Sequence, residues 1–385
     1  MIGRNVRIEV SGLRFLARYD LFGDPATVPE RIEALAVEET IEFPADLVRG
    51  TDIARHVVGR VESIEPAGPS MTSATVSYAV ETAGGELPQL LNVLFGNCSL
   101  LPGVRLSGLE LPAELLAGFR GPRYGGDGIR ELAGVHGRPL LATALKPMGL
   151  DAANLAGMAR RLVLAGVDIV KDDHGLANQP FAPFEARVEA CAEAVAAASE
   201  ERGGPRALYF PCVNAPADQL AERARFAREA GAAGLLVLPG FSGFDAMRTI
   251  AADDSLGLAV MAHPAFLGSF VAQPEGGISH GTLLATFMRL AGADLSIFPG
   301  YGGRFGFSED ECRSIAREAA SPMGEVGKLL PVVGGGMSVE RVGELIEFFG
   351  PELVLLVGGN LHRGDLDTNV GRIRDEMSLV MGRRA

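Results

Sequence analysis

The sequence predicts an α/β protein in which a C-terminal (β/α)8 TIM barrel follows a smaller α+β domain. Eight short apolar runs succeed one another from about residue 138 onward, and most are separated by a segment with helical periodicity. Polar, charged or glycine residues follow every run. Apolar runs that alternate with helices are typical of buried parallel strands. Eight strands in roughly 245 residues match this barrel in number and size.

An open doubly wound sheet is the competing architecture. It usually needs fewer strands and a glycine fingerprint after the first one. No GxGxxG follows Leu145, and no GxxxxGK[ST] occurs in the chain. The predicted barrel strands are 139–145, 167–170, 207–213, 234–238, 258–262, 295–298, 329–333 and 353–357.

Residues 1–120 have a different pattern and predict a separate ferredoxin-like α+β domain, which leaves 121–385 for the barrel. Residues 6–10 and 74–80 alternate as half-buried antiparallel strands do. A helix is predicted to begin at Pro29, and a second apolar stretch, 90–95, ends at Gly96.

The bulk properties exclude several classes of function. A net charge of −13 argues against nucleic acid or an anionic membrane surface as a partner. The first residues lack the apolar core of a signal peptide, and no apolar run is long enough to span a bilayer. The four cysteines are widely spaced, with no CxxC pair. The sequence therefore predicts a cytoplasmic protein with reduced thiols.

The most informative stretch runs from the second barrel strand into Lys171, Asp173 and His174. Charges at the end of a buried strand are costly unless they are paired, bind a metal or lie at the opening of a site. A carboxylate, an imidazole and a lysine form a plausible site for a divalent metal or for catalysis. A surface loop with solvated charges remains the alternative from spacing alone.

Other candidate residues follow the remaining strands, where barrel active sites form. Gly334, Gly335 and Gly336 follow strand seven, and Gly358 and Gly359 follow strand eight; such loops hold phosphate on backbone N–H groups, although tight turns are the simpler explanation. Three charged or titratable residues also have two explanations each. Lys146 is either a proton donor or a lysine that reaches solvent. His263 is either a substrate contact or a histidine of the core. Arg304 is either a cation on a mobile lid or a solvated arginine.

With these residues in place, the sequence resembles ribulose bisphosphate carboxylase/oxygenase, and more closely the RuBisCO-like proteins. Residues 137–147 are similar to the first barrel strand with its catalytic lysine, and 166–174 to the metal-binding segment. The resemblance implies that Lys171 is carbamylated by CO2 and binds Mg2+ with Asp173 and His174. It also implies that Glu38 and Asn97 complete the active site of the neighbouring subunit in a homodimer or an assembly of dimers.

The departures from the family are informative. His174 replaces a carboxylate ligand, which admits Mn2+ or another divalent metal. Pro264, Phe298 and Gly334 replace the groups of one phosphate site, so the resemblance implies a sugar-acid monophosphate as substrate. Arg304 replaces the lysine that the family has in the loop after strand six. A second lysine of the family, in the first-strand motif, is absent, and Met148 lies near its position. Carboxylation of ribulose bisphosphate is therefore not expected.

Three functions remain open. The first choice is decarboxylation or C–C hydrolysis of a 3-oxo acid phosphate, of the 3-oxo-isoapionate 4-phosphate type, through a metal-stabilised enediolate. The second is an enolase or isomerase of a methylthio-sugar phosphate. The third is a non-catalytic regulatory protein, which the charged cluster of Lys146, Lys171 and Asp173 opposes, because such a cluster is costly to keep buried.

Overall fold

The computed structural model describes residues 7–384 and divides the chain into two compact units. The first unit contains the residues up to Phe119 together with two later segments, Leu267–Leu283 and Met323–Val326. The second unit contains Arg120–Phe266, Leu284–Pro322 and the residues from Gly327 onward.

The first unit is built on a five-stranded, largely antiparallel sheet. Its strands are Arg14–Phe22 (β1), Arg60–Gly68 (β2), Met71–Ala79 (β3), Val104–Glu110 (β4) and, in chain order, Gly277–Ile278 (β10). Its helices are Val28–Glu38 (α1), Leu87–Phe95 (α2), Ala113–Leu116 (α3) and Gly268–Val271 (α10). The strand order is β10-β4-β1-β3-β2, and within the described part of this unit β10 is the one strand that pairs in parallel.

The predicted first strand at 6–10 is wrong where it can be examined. Val6 lies outside the described residues, and Arg7–Val10 form no strand. The first strand is β1, in which Phe15, Ala17 and Tyr19 are buried on one face. The alternation in 6–10 covers too few residues to specify a strand, whereas β1 pairs along its whole length with β3.

The second unit is the eight-stranded parallel barrel. Its strands are Leu140–Leu145 (β5), Ile169–Asp172 (β6), Leu208–Phe210 (β7), Gly234–Val237 (β8), Ala259–Ala262 (β9), Leu295–Pro299 (β11), Leu330–Gly334 (β12) and Val354–Leu356 (β13). Their order is β7-β6-β5-β13-β12-β11-β9-β8. A parallel bridge between Cys212 and Leu236 joins the two outer strands of this order and closes the barrel. The predicted fold class is confirmed.

The second unit also contains helices, most of which follow a barrel strand. They are Gly125–Ala133 (α4), Ala152–Ala165 (α5), Phe184–Arg202 (α6), Leu220–Glu229 (α7), Pro239–Ser242 (α8), Phe244–Ala252 (α9), Phe287–Leu290 (α11), Glu309–Ala320 (α12), Val342–Phe349 (α13) and Leu366–Arg384 (α14). Among residues 7–384, no helix combines the length and the apolar character that crossing a membrane requires.

Two buried carboxylates bind the backbone at the amino-terminal end of the barrel. Asp168 precedes β6, forms an ion pair with Arg138 and accepts the N–H of Leu141. Asp294 precedes β11 and accepts three backbone N–H groups, those of Tyr124, Gly125 and Val260. These two carboxylates have a structural role. Polar groups with a chemical role are therefore expected at the opposite, carboxyl-terminal end of the barrel.

Candidate active site

Lys171 lies in β6 and is almost fully buried, with 2% of its surface exposed. Its Nζ donates a hydrogen bond of 2.8 Å to the main-chain carbonyl of Asp172. Burial lowers the pKa of Lys171 to about 8, although the negative charge of Asp173 opposes the shift. A neutral amine at this position is therefore accessible close to neutral pH.

Asp173 directly follows β6 and is the centre of the polar cluster. Its Oδ1 lies 2.9 Å from Nζ of Lys146 and 3.2 Å from Nδ1 of His174. Burial opposes ionisation, but the contacts with His174 and Lys146 outweigh it, so the pKa of Asp173 lies well below its ordinary value. Lys146 and His174 are close neighbours of this buried oxygen, but neither forms a hydrogen bond with it.

Strand pairing brings Lys146 to this cluster. β5 and β6 are neighbours, with Ala144 opposite Lys171 and Leu145 opposite Asp172. Because both strands end at the same level, the residue after β5 and the residue after β6 meet at the carboxyl-terminal edge. The structure therefore brings together Lys146, Lys171, Asp173 and His174, as the sequence predicted.

His263 follows β9 and stacks on His174, with ring centroids 4.2 Å apart and planes inclined by 16°. Burial and the nearby charge of Lys171 lower the pKa of His263 well below its ordinary value. The Nδ1 of His263 accepts the N–H of Ala265 at 3.1 Å. The ring is therefore neutral at pH 7 and carries its hydrogen on Nε2, which can donate to a substrate oxygen.

The glycine loops present free backbone donors. Among residues 7–384, no acceptor takes the N–H of Gly335, Gly336, Gly358 or Gly359. Gly335 and Gly336 have positive φ, and a Cβ on Gly359 or Gly358 would meet no atom within 4 Å. The loops are joined because Asn360 Nδ2 donates to the carbonyl of Met337 at 2.9 Å. Such an arrangement of N–H groups suits a phosphate.

Arg304 lies beside one of these loops. A Cβ on Gly336 would stand 3.8 Å from both the backbone N and the Cγ of Arg304. The guanidinium lies over the ring of Phe305, 4.7 Å from its centroid, and has no anionic partner among the described residues. The structure places this cation next to the glycines of strand seven, where it can contact an anion.

Phe298, which by resemblance takes the place of a group of one phosphate site, does not face the interior of the barrel. Phe298 is fully buried, and its ring packs edge-on against Phe349 of α13. The interior positions of β11 are Leu295 and Ile297, which belong to the barrel core. A shift of one residue along a strand turns a side chain to the opposite face, so Phe298 packs against the helices and lines no site.

Glu38 and Asn97 lie together in the first unit. Asn97 Nδ2 donates to Glu38 Oε1 at 2.9 Å. The neighbouring Glu39 was not singled out from the sequence, yet it is buried and accepts the backbone N–H groups of Gly96 and Cys98. Glu39 thereby fixes the turn that presents Asn97.

Two features of the barrel site were missed. The chain contains only three lysines, and two of them, Lys146 and Lys171, are in the cluster, a signal that the sequence carries. Asp172, on the other face of β6, is fully buried in an ion pair with Arg187. The sequence does not indicate this ion pair, because the two side chains become buried together only on folding.

The donor groups decide whether a metal fits this site. Asp173 and His174 supply two donor groups. Among residues 7–384, no cluster of three His, Cys, Asp or Glu side chains is arranged to hold a metal. A third donor group, with oxygen as its ligating atom, would come from a carbamate on Lys171, whose lowered pKa favours the neutral amine that reacts with CO2. Oδ1 of Asp173 is a buried acceptor without a hydrogen-bond donor. The residues therefore fit a divalent cation when Lys171 is carbamylated.

Fold and site together define the class: a two-unit protein whose (β/α)8 barrel gathers a lysine, carboxylate and histidine cluster at its carboxyl-terminal end. Residues 127–373, more than half of the chain, match the family of the ribulose bisphosphate carboxylase large chain, catalytic domain. The chain belongs to this family, and within it to the non-carboxylating RuBisCO-like proteins (form IV).

Three comparisons show this membership. The chain is 38% identical over 350 residues to 5-methylthioribulose-1-phosphate isomerase of Rhodospirillum rubrum, covering 90% of this chain and 91% of that protein. It is 34% identical over 344 residues to 2,3-diketo-5-methylthiopentyl-1-phosphate enolase of Bacillus pumilus, covering 87% and 84%. The crystal structure of a RuBisCO-like protein from Rhodopseudomonas palustris superposes with a TM-score of 0.86 at 38% identity, covering 95% and 97%.

Proposed function

We propose that the chain is an enzyme that takes a proton from a carbon next to a carbonyl group of a phosphorylated sugar derivative and returns it to another carbon or to oxygen, as an isomerase or enolase of a methylthio-sugar phosphate. The observation that carries the proposal is the contact of 2.9 Å between Nζ of Lys146 and Oδ1 of Asp173, beside a neutral His263. A lysine amine that contacts a carboxylate and lies close to a hydrogen-bond donor suits proton transfer at a carbon next to a carbonyl.

The relatives favour this function over the first choice made from the sequence. Two of them are named for isomerisation and enolisation of methylthio-pentyl or methylthio-ribulose phosphates. Neither name includes decarboxylation or hydrolysis of a 3-oxo acid. Both names specify a single phosphate, in agreement with one phosphate site at Gly335, Gly336, Gly358 and Gly359. We place the phosphate there, with Arg304 beside it.

Each residue has a role that follows from its surroundings. The Nε2–H of His263 donates to the substrate carbonyl oxygen and strengthens the acidity of the neighbouring C–H. Lys146, held by Asp173, accepts the proton of this C–H and returns it to another carbon or to oxygen. His174 packs on His263 and keeps that ring in place. Lys171, as a carbamate, with Asp173 and His174 would hold Mg2+ or another divalent metal. When bound, such a cation supplies charge that stabilises an enediolate oxyanion.

A product assay tests the proposal. The protein is incubated with 5-methylthioribulose 1-phosphate, with 2,3-diketo-5-methylthiopentyl 1-phosphate and with a 3-oxo acid phosphate, each with Mg2+ and bicarbonate. We expect an isomerised or enolised product from one of the first two, with the carbon skeleton intact. Release of CO2 or a cleaved skeleton from the third, with no reaction of the others, would restore the first choice. Thermal stabilisation by a ligand without any product would instead favour the regulatory alternative.

We further propose that residues 1–120 form a domain that completes the active site of a partner subunit through Glu38 and Asn97, in a homodimer. Mixing two inactive variants tests this. Lys146→Met and Asn97→Ala place their defects in different parts of the chain, so a mixed dimer would contain one active site with neither defect. Recovery of about a quarter of the wild-type activity after mixing is expected for random exchange of subunits. No recovery in mixtures shown to exchange subunits would contradict the shared site.

A further inference from the structure

A buried ion pair lies directly behind the active-site cluster. Asp172 is the last residue of β6, and Arg187 lies in the first turn of α6; both side chains are fully buried. Nε of Arg187 donates to Oδ2 of Asp172 at 3.0 Å. Because side chains alternate along a strand, Asp172 faces the helices, on the opposite side of β6 from Lys171.

Two further donors bind the carboxylate of Asp172. Tyr209 on β7 donates its hydroxyl hydrogen to Oδ1 at 2.9 Å, and the backbone N–H of Cys212 donates to Oδ2 at 3.0 Å. Leu208 and Phe210, on either side of Tyr209, belong to the barrel interior, so Tyr209 faces the same outer layer as Asp172. The end of β6 is therefore fixed to the neighbouring strand by side-chain bonds in addition to the ladder.

Arg187 also binds the loop that carries the active-site residues. Its Nη1 donates to the carbonyl of Ala182 and its Nη2 to that of Ala177, both at 3.0 Å. These carbonyls lie in the irregular segment after β6 that begins with Asp173 and His174. One guanidinium thus joins the end of the strand to two points of the loop. The loop has further contacts with residues that follow other strands: Asp173 with Lys146, the ring of His174 with that of His263, and a weak contact from Cys212 Sγ to the carbonyl of His174.

We infer that Arg187, with Asp172 and Tyr209, is a positioning residue of the active site, which holds Lys171, Asp173 and His174 in their relative places through the loop. A change at Arg187 reaches the chemistry only through these residues, since its side chain is fully buried and every nitrogen of its guanidinium has an acceptor. Loosening the loop displaces Asp173 from Lys146, and small displacements of reacting groups are costly in rate.

Arg130 offers a matched control at the opposite end of the barrel. It is also buried, its Nε donates to a carboxylate, that of Glu352, and its two Nη atoms donate to the carbonyls of Arg138 and Pro351. These partners precede β5 and β13, far along the strands from the cluster. Arg187→Lys and Arg130→Lys each keep the charge and remove the bonds to two carbonyls, so the comparison separates positioning from general stability.

Two measurements on the full-length protein test the inference. The first is hydrogen–deuterium exchange of the backbone amides in 173–182, without substrate or metal. The second is kcat and KM in the isomerase or enolase assay, which rests on the proposed function. In Arg187→Lys we expect faster exchange in this segment. We also expect kcat to fall by at least about tenfold, with KM changed by less than about twofold. Arg130→Lys should lower the melting temperature and change neither quantity.

The inference is overturned if the two variants have the same kcat and the same exchange in 173–182. If Arg187→Lys does not fold, Tyr209→Phe replaces it, because it removes only one hydrogen bond to Asp172. Faster exchange of the same segment and a kcat lowered by a few-fold are then expected, and wild-type values for both would reject the inference. Should the wild-type protein convert none of the substrates, the proposed function fails, and the exchange measurement still decides the role of Arg187.

Discussion

Nζ of Lys146 lies 2.9 Å from Oδ1 of Asp173, across the ends of two neighbouring barrel strands. This contact joins the residue proposed to move a proton to the residue proposed to hold a metal, so the two functions of the site are coupled. Loss of either partner leaves a partly buried charge without its counter-ion, which changes both proton transfer and the binding of a cation.

Carbamylation of Lys171 should depend on pH in a defined direction. The pKa of the folded-state amine is lowered to about 8, chiefly by burial, so the neutral form that reacts with CO2 accumulates as the pH rises through 8. With 13C-labelled CO2 held at constant concentration, we expect a protein carbamate signal in 13C NMR that grows between pH 7 and pH 9. Lys328→Met should keep the signal and Lys171→Met should lose it. A signal that survives in Lys171→Met would assign the carbamate elsewhere.

His263 should remain neutral under mildly acidic conditions. Burial and the charge of Lys171 lower its pKa well below the ordinary 6.5, so its protonation falls outside the range from pH 6 to pH 8. Heteronuclear NMR of 15N-histidine protein should show the Nε2–H tautomer of this residue unchanged across that range. The exposed His136 serves as a comparison within the same spectrum. Titration of the His263 signal near pH 6.5 would contradict the assigned role as a neutral donor.

The phosphate site can be tested by adding one methyl group. A Cβ on Gly359 meets no protein atom within 4 Å, so Gly359→Ala should fold normally and yet intrude on a bound phosphate. We expect KM for the phosphorylated substrate to rise by about tenfold or more, the effect of losing one or two good hydrogen bonds to a charged group. Gly371→Ala, in α14, also adds a methyl group to open space and should leave KM unchanged. Equal KM in both variants would indicate that the phosphate binds elsewhere.

Asp294 should make the protein more stable at mildly acidic pH. Burial raises its folded-state pKa from 3.8 to about 6. Between these values the folded state binds more protons than the unfolded state, so the free energy of unfolding falls as the pH rises from 4 to 6. A shift of roughly two units corresponds to about 3 kcal/mol. Denaturant unfolding at several pH values should show this slope, and Asp294→Asn should flatten it. A slope that is equally steep in Asp294→Asn would assign the effect to other groups.

The positions of the barrel strands and the residues of the main cluster could be predicted because they depend on local patterns. Each apolar run is followed by its polar residue in the chain, and parallel strands place all such residues at one end. Lys146, Lys171, Asp173 and His263 were therefore identified before any distance was known. The sequence could not show that Lys146 pairs with Asp173 in particular, since this depends on the register of β5 and β6.

The errors have a physical cause as well. Phe298 was expected near the substrate because the resemblance puts it in the place of a group of one phosphate site, but the side on which it projects depends on a single residue of offset. Arg187 and Tyr209 were missed because an isolated arginine in a helix and a tyrosine in a strand are ordinary in sequence. Only folding buries them against Asp172. Residues of this second layer act through others and have no motif of their own.

Exchange of carbon-bound hydrogen in D2O tests the central claim most directly. A methylthio-ribulose phosphate is incubated with wild-type protein, with Lys146→Met and with Lys328→Met, and deuterium next to the carbonyl is followed by 1H NMR. Proton transfer through Lys146 predicts incorporation with the carbon skeleton intact in wild type and in Lys328→Met, and a rate lower by about 100-fold or more in Lys146→Met. Equal rates in Lys146→Met and wild type would contradict it.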